Sequence, residues 1–203
     1  MKLKSIAPLA AYVTVAAGLF WAHSAWVALL GFHTALLLIL VIEKPAVPVR
    51  ALLRGVDVFM LMGCVLLGAS GGVVLYLAWP VFSISPNVFA NLAAVGLTPA
   101  AWPAFIAYFA LVNPWLEEYF WRGYLGNTSP KPVVMDFLFA GYHLFILYGK
   151  TTGVWMAVSL LVLTLVAWLW RQVSRKSGGL LIACLSHAAA DLSILLAVYW
   201  MYK

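Results

Sequence analysis

Glu117, Glu118, Arg122, His143, His187 and Asp191 are residue types that move or fix protons, and all six stand in otherwise apolar stretches. Glu118 and Arg122 are four residues apart, as are Phe139 and His143, and His187 and Asp191. On helices each pair shares a face and its members can touch. Glu117 projects about 100° around the helix from Glu118. One glutamate can therefore be neutralised by Arg122 while the other faces a different partner. That asymmetry turns one carboxylate into a base and the other into a structural anion.

The solvent around these residues follows from composition. Of the 203 residues, 66% are hydrophobic and 9% charged, with a mean hydropathy of +1.02. A soluble domain carries about a quarter charged residues. No polar stretch is long enough for a separate soluble domain. The net charge of +6 does not point to nucleic acid, because the basic residues lie in short gaps between apolar runs. Cys64 and Cys184 sit inside apolar runs and read as small buried residues, not as a disulfide.

A membrane-crossing helix needs about 20 apolar residues. The expectation is an all-α, polytopic transmembrane helix bundle of about seven spans, with six to eight possible. The seven are Ile6–Trp21, Ala25–Ile42, Val56–Trp79, Pro99–Leu125, Val133–Tyr148, Gly153–Trp170 and Leu180–Tyr202. Pro80–Gly96, with two prolines and two asparagines, is a loop, a short interfacial helix or an eighth span. Met1-Lys2-Leu3-Lys4 resembles the start of a signal peptide, with Ala22-His23-Ser24 as a cleavage site. The next apolar run begins at once, so a retained first helix is expected.

With the N-terminus inside, the inner segments carry Lys2, Lys4, Lys44, Arg50, Arg54, Lys131, Arg171, Arg175 and Lys176. The outer segments carry Lys150 and Lys203. This bias predicts an N-in topology. Glu117, His143 and His187 then lie about 8, 10 and 7 residues from the cytoplasmic ends of their spans, one layer roughly 10–15 Å deep. The acids Glu43, Asp57 and Asp136 fall at helix ends, where they are at home. His23 and His33 have no partner at helical spacing and read as interfacial or packed. The aromatic Trp115, Trp121, Tyr124 and Phe145 read as packing or interface anchors before they read as a substrate groove.

Glu117-Glu118-Tyr119-Phe120-Trp121-Arg122 resembles the E-E-x-x-x-R motif of the CAAX prenyl endopeptidase type II and bacteriocin-processing family (CPBP, also called Abi). Phe139-Ala140-Gly141-Tyr142-His143 resembles its F-x-x-x-H motif, and His187-Ala188-Ala189-Ala190-Asp191 its H-x-x-x-N/D motif. The resemblance covers about Pro99–Leu196. It divides one membrane domain into N-terminal helices, 1–98, and a four-helix catalytic core, 99–203. It implies a membrane-embedded endopeptidase of a bacterial or archaeal cytoplasmic membrane, acting on a peptide or membrane-anchored protein. In that picture Glu117 is the general base on a water shared with His143. His187 and the residue four later stabilise the oxyanion, and Glu118 with Arg122 orients the site.

Asp191 departs from the amide form of the third motif, since an ionised Asp cannot donate a hydrogen bond. Three roles stay open: a protonated acid, a group orienting His187, or part of a metal site. Zn²⁺ on Glu117, His143 and His187 is the metal alternative, but the compact H-E-x-x-H signature is lacking, so no cofactor is favoured. Other readings are interhelical glue, a proton-coupled transporter, and a non-catalytic immunity or binding member. Two adjacent glutamates exceed what glue requires, because a charge at mid-bilayer costs about 2.5–3.5 kcal/mol or more.

Overall fold

A computed structural model describes residues 3–203 and is helical throughout, with no strand among the described residues. Met1 and Lys2, including the Lys2 topology charge, lie outside the described residues. Each apolar stretch becomes a helix. After a short α1 (Leu3–Ile6) come α2 (Leu9–Ala16), extended by a π turn (Ala17–Trp21), α3 (Ala25–Glu43) and α4 (Val58–Leu77). A 3₁₀ turn (Trp79–Phe82) and α5 (Val88–Ala94) precede α6 (Trp102–Glu118), which continues into a second π turn (Tyr119–Tyr124). The chain ends with α7 (Val134–Leu147), α8 (Gly153–Ser177) and α9 (Leu181–Tyr202).

Four of these helices, α3, α4, α8 and α9, are long and apolar enough to cross a membrane. Leu9–Trp21 and Val134–Leu147 are shorter apolar helices. The Pro80–Gly96 segment forms no span, since the seven residues of α5 cover only about 10 Å. The outer surface is apolar: Phe59 is 89% exposed and Leu77 74%. Such faces suit lipid, not water.

Helix ends follow local chemistry. Ser24 caps α3 by accepting from the Val27 N–H at 3.3 Å, and Asp57 caps α4 by accepting from the Met60 N–H at 2.8 Å. Gly178, with φ +73°, ends α8 in the left-handed conformation that glycine adopts freely.

Helices α4 and α9 pack closely along their lengths. Side chains at Gly68 and Gly72 would overlap the backbone of Ser186 and Ser193 on α9. This Gly-x-x-x-Gly spacing lets backbones approach where lipid offers no hydrophobic drive. Ser186 adds a hydrogen bond to the Cys64 carbonyl at 2.7 Å. Cys64 and Cys184 are both buried and free, as their surroundings suggest. The main apolar cluster joins Ala11, Phe32 and Leu36 from the first helices to Phe120, Phe139 and Cys184 from the last ones.

Arg171 departs from its reading as a topology charge. It is 4% exposed and pairs with Asp136, through Nε–Oδ1 at 3.0 Å and Nη2–Oδ2 at 2.7 Å. Its guanidinium also donates to the carbonyls of Asn127, Ser129 and Lys131. Asp136 in turn accepts from the Val133 N–H, which starts α7.

Candidate active site

Pro114 lies inside α6, where it cannot donate the usual backbone hydrogen bond. Five residues later, at Tyr119, the helix changes pitch, so the π turn begins inside the E-E-x-x-x-R segment, just after Glu118. Such single-turn π segments concentrate at functional sites. Here the change in pitch keeps Glu117, Glu118 and Arg122 all inside the bundle, at 2%, 0% and 8% exposure.

Glu118 is a hub. Arg122 Nη1 approaches its Oε1 at 3.2 Å, and His187 Nδ1 lies 2.8 Å from the same oxygen. His187 Nε2 faces Asp191 Oδ1 at 3.5 Å. The His187 ring stacks on Trp170 with centroids 4.4 Å apart and meets Phe139 edge-on at 6.0 Å. Trp170 is itself fixed by donating to Ser186 Oγ at 3.0 Å. His187 is thus held by carboxylates at both nitrogens and by an aromatic face.

Glu117 takes a different partner, as the angular offset from Glu118 requires. Tyr142 donates its hydroxyl to Glu117 Oε1 at 2.7 Å. The Tyr142 ring stacks on His143 at 4.1 Å. His143 Nδ1 lies 2.9 Å from the Phe139 carbonyl. A carbonyl only accepts, so Nδ1 carries the proton and Nε2 keeps its lone pair. Phe139 therefore does two jobs: its carbonyl sets the His143 tautomer, and its ring lies under the Arg122 guanidinium at 4.2 Å.

All six residues singled out from sequence fall in one connected cluster, linked through Glu118, Tyr142 and Phe139. Several buried polar atoms there lack a hydrogen-bond partner among the described residues. They are Glu117 Oε2, Glu118 Oε2 and both Arg122 Nη atoms. The Arg122–Glu118 contact is therefore close in distance but poorly aligned as a hydrogen bond.

Asp191 is tied to more than His187. Its Oδ2 accepts from Asn113 Nδ2 at 3.1 Å. Asn113 Oδ1 faces His33 Nε2 at 3.0 Å, and His33 Nδ1 faces the Tyr108 hydroxyl at 3.1 Å. His33 is packed, as read, but it is not isolated: it is 2% exposed and has partners on another helix. Sequence reasoning missed Asn113, Tyr142, Tyr108 and the link to His33. A signal existed for Asn113, an amide in an apolar span four residues before Glu117. None existed for His33, whose partners are 75 and 80 residues away.

Trp121 and Tyr124 are buried in the core, and Phe145 packs against it. Trp115 packs against the same core and also lines a groove of about 390 Å³ between α3 and α6, with His33 and Tyr108 on its wall.

The zinc alternative needs Glu117, His143 and His187 to converge. Among the described residues no three His, Cys, Asp or Glu side chains are arranged to hold a metal ion. His187 has both nitrogens turned to carboxylates within its own cluster. The donors as placed do not fit that ion.

A family model described as type II CAAX prenyl endopeptidase Rce1-like matches residues 99–193, close to the Pro99–Leu196 extent of the motif resemblance. No curated protein and no solved structure matches the chain. The match encloses all three motif segments and the helices that position them, and with the apolar helices it shows an integral membrane protein that carries an Rce1-like type II CAAX prenyl endopeptidase domain.

Proposed function

We propose that this protein hydrolyses a peptide bond of a membrane-associated protein or peptide, with Glu117 as general base and without a metal. The observation that carries this reading is Glu117 Oε2, a buried carboxylate oxygen with no hydrogen-bond partner among the described residues, one residue along from the Glu118–Arg122 pair. Tyr142 fixes the other oxygen, so the free one has a defined direction. A water that donates one proton to Glu117 Oε2 and the other to His143 Nε2 keeps a lone pair for attack on the scissile carbonyl. The base then takes the proton, and the departing amine receives it as the tetrahedral intermediate collapses. His187 Nε2, only loosely held by Asp191 at 3.5 Å, stabilises the oxyanion. Arg122 neutralises Glu118, which leaves that carboxylate as the anchor of His187.

The family description favours a prenylated C-terminal segment as substrate, and a bacterial or archaeal cytoplasmic membrane with the N-terminus inside as the setting. The test uses purified protein in detergent micelles and an internally quenched peptide ending in a farnesylated cysteine and three further residues. Glu117→Ala and His143→Ala are expected to abolish cleavage without changing membrane insertion. Full activity in Glu117→Ala overturns the assignment. A strong chelator is expected to leave the rate unchanged; loss of activity that Zn²⁺ restores overturns the metal-free mechanism.

A further inference from the structure

Asp191 takes the place of an amide in the third motif, and an amide that the motifs do not contain lies against it. Asn113 sits on α6 four residues before Glu117, on the same face, and is 2% exposed. The direction of its hydrogen bonds is forced. A carboxylate only accepts, and Asn113 turns its Nδ2 toward Asp191 Oδ2 and its Oδ1 toward His33. His33 must then donate from Nε2, which leaves Nδ1 to accept the Tyr108 hydroxyl proton. Each of the three links Tyr108–His33, His33–Asn113 and Asn113–Asp191 then pairs one donor with one acceptor. An amide nitrogen carries two protons. Asp191 takes one; the other has no acceptor among the described residues.

We infer that Asn113 and Asp191 are a transposed amide–carboxylate pair. Asn113 supplies from α6 the amide that the H-x-x-x-N form carries on α9, and His33 and Tyr108 are positioning residues that hold it in that orientation. The inference rests on the peptidase reading above. It adds to the site a side chain from α3, outside the matched residues 99–193. It also gives Asp191 a definite part: one oxygen faces His187 Nε2 at 3.5 Å and the other accepts from the amide.

Exchange of the two side chains tests this directly. Asn113→Asp alone sets two carboxylates against each other. Asp191→Asn alone sets two amides against each other and leaves one acceptor oxygen where His187 and Asn113 each had their own. The double exchange restores an acceptor for every donor. The amide moved to α9 accepts from His187 and donates to the carboxylate moved to α6, which still accepts from His33.

With the farnesylated quenched peptide, Asn113→Asp, Asn113→Ala and Asp191→Asn are each expected to lower kcat by about 10²-fold, with KM changed less than about threefold. The double exchange is expected to recover to within about tenfold of the starting kcat, a non-additivity reserved for residues in contact. Wild-type kcat in Asn113→Ala, or a double exchange as poor as the product of its single variants, overturns the inference.

Glu117→Gln run alongside separates the two readings. If it keeps full turnover, the peptidase reading fails. If it is inactive while Asn113→Ala is unaffected, the transposition alone fails. ¹⁵N NMR of histidine-labelled protein needs no substrate: His33 is expected as the Nε2–H tautomer, and Asn113→Ala is expected to shift the His187 ring nitrogens. A His33 Nδ1–H tautomer, or unmoved His187 signals, overturns the proposal.

Discussion

Among the described residues, two buried arginine–carboxylate pairs are built to opposite specifications. Between α7 and α8, Asp136 and Arg171 form a two-point contact at 2.7 and 3.0 Å, and the remaining guanidinium protons go to backbone carbonyls. On α6 and its π turn, Glu118 and Arg122 approach at 3.2 Å with poor alignment, and both Nη atoms stay unpartnered. The first pair is saturated. It closes the Asn127–Lys131 loop onto α8 and starts α7, and it has no capacity left for another group. The second cluster keeps unpaired acceptors on Glu117 and Glu118 and unpaired donors on Arg122. Unmet polar capacity in an apolar interior is costly, so a fold retains it where something else is to be bound.

The largest expected difference between the two regions is in catalysis. Glu117→Gln removes the base while keeping size and hydrogen bonding, and kcat for the farnesylated quenched peptide should fall by about 10²–10⁴-fold. Thermal unfolding in detergent should move by no more than a degree or two. Asp136→Ala is the mirror variant. It strands Arg171 without its carboxylate, at a cost of about 3–5 kcal/mol, and the melting temperature should drop while the folded fraction keeps its kcat. A stable but inactive Asp136→Ala would erase the distinction between the regions.

Tyr142→Phe sharpens the comparison inside the site. The Tyr142 hydroxyl holds one oxygen of Glu117 at 2.7 Å and thereby aims the other. A hydrogen bond to a charged group is worth about 1.5–3 kcal/mol, so a fall in kcat of about 10- to 100-fold is expected with little change in KM. An unchanged kcat would mean that Glu117 is aimed by the helix alone.

How much of this was legible in the sequence depends on the range of each contact. The helical stretches were readable because apolar runs of the right length have few alternatives. The pairs Glu118–Arg122 and His187–Asp191 were readable because helical geometry makes residues four apart neighbours. That Glu117, His143 and His187 fall in one cluster was suggested by counting residues along three helices. The saturated pair was not legible: Asp136 and Arg171 each sit near a helix end, where a solvated charge is the ordinary reading, and nothing local says they face one another. The same holds for His33 and Asn113, which meet only because α3 packs on α6. The helix-pitch change at Tyr119–Tyr124 has a nearby correlate in Pro114, but a proline inside a helix does not by itself specify a π turn.

The smallest effect, and the finest test of the contrast, comes from replacing each arginine by lysine. Lysine keeps the charge but presents a compact ammonium in place of the planar fork. At position 171 that fork makes the two-point contact with Asp136 and reaches three carbonyls. An ammonium has at most three donors and cannot span these directions. Arg171→Lys should therefore lower stability by about 2 kcal/mol, since each lost bond to a charged group is worth about 1.5–3 kcal/mol and some are regained. At position 122 the guanidinium makes one poorly aligned contact with Glu118 and lies over Phe139, 4.2 Å from its centroid. Lysine keeps the charge opposite Glu118 and loses mainly the stacking, worth about 0.5–2 kcal/mol. Arg122→Lys should be the milder change in melting temperature, measured under the same detergent conditions. If it destabilises as much as Arg171→Lys, the Arg122 cluster is a structural pair after all, and its unpaired atoms are not capacity held for a substrate.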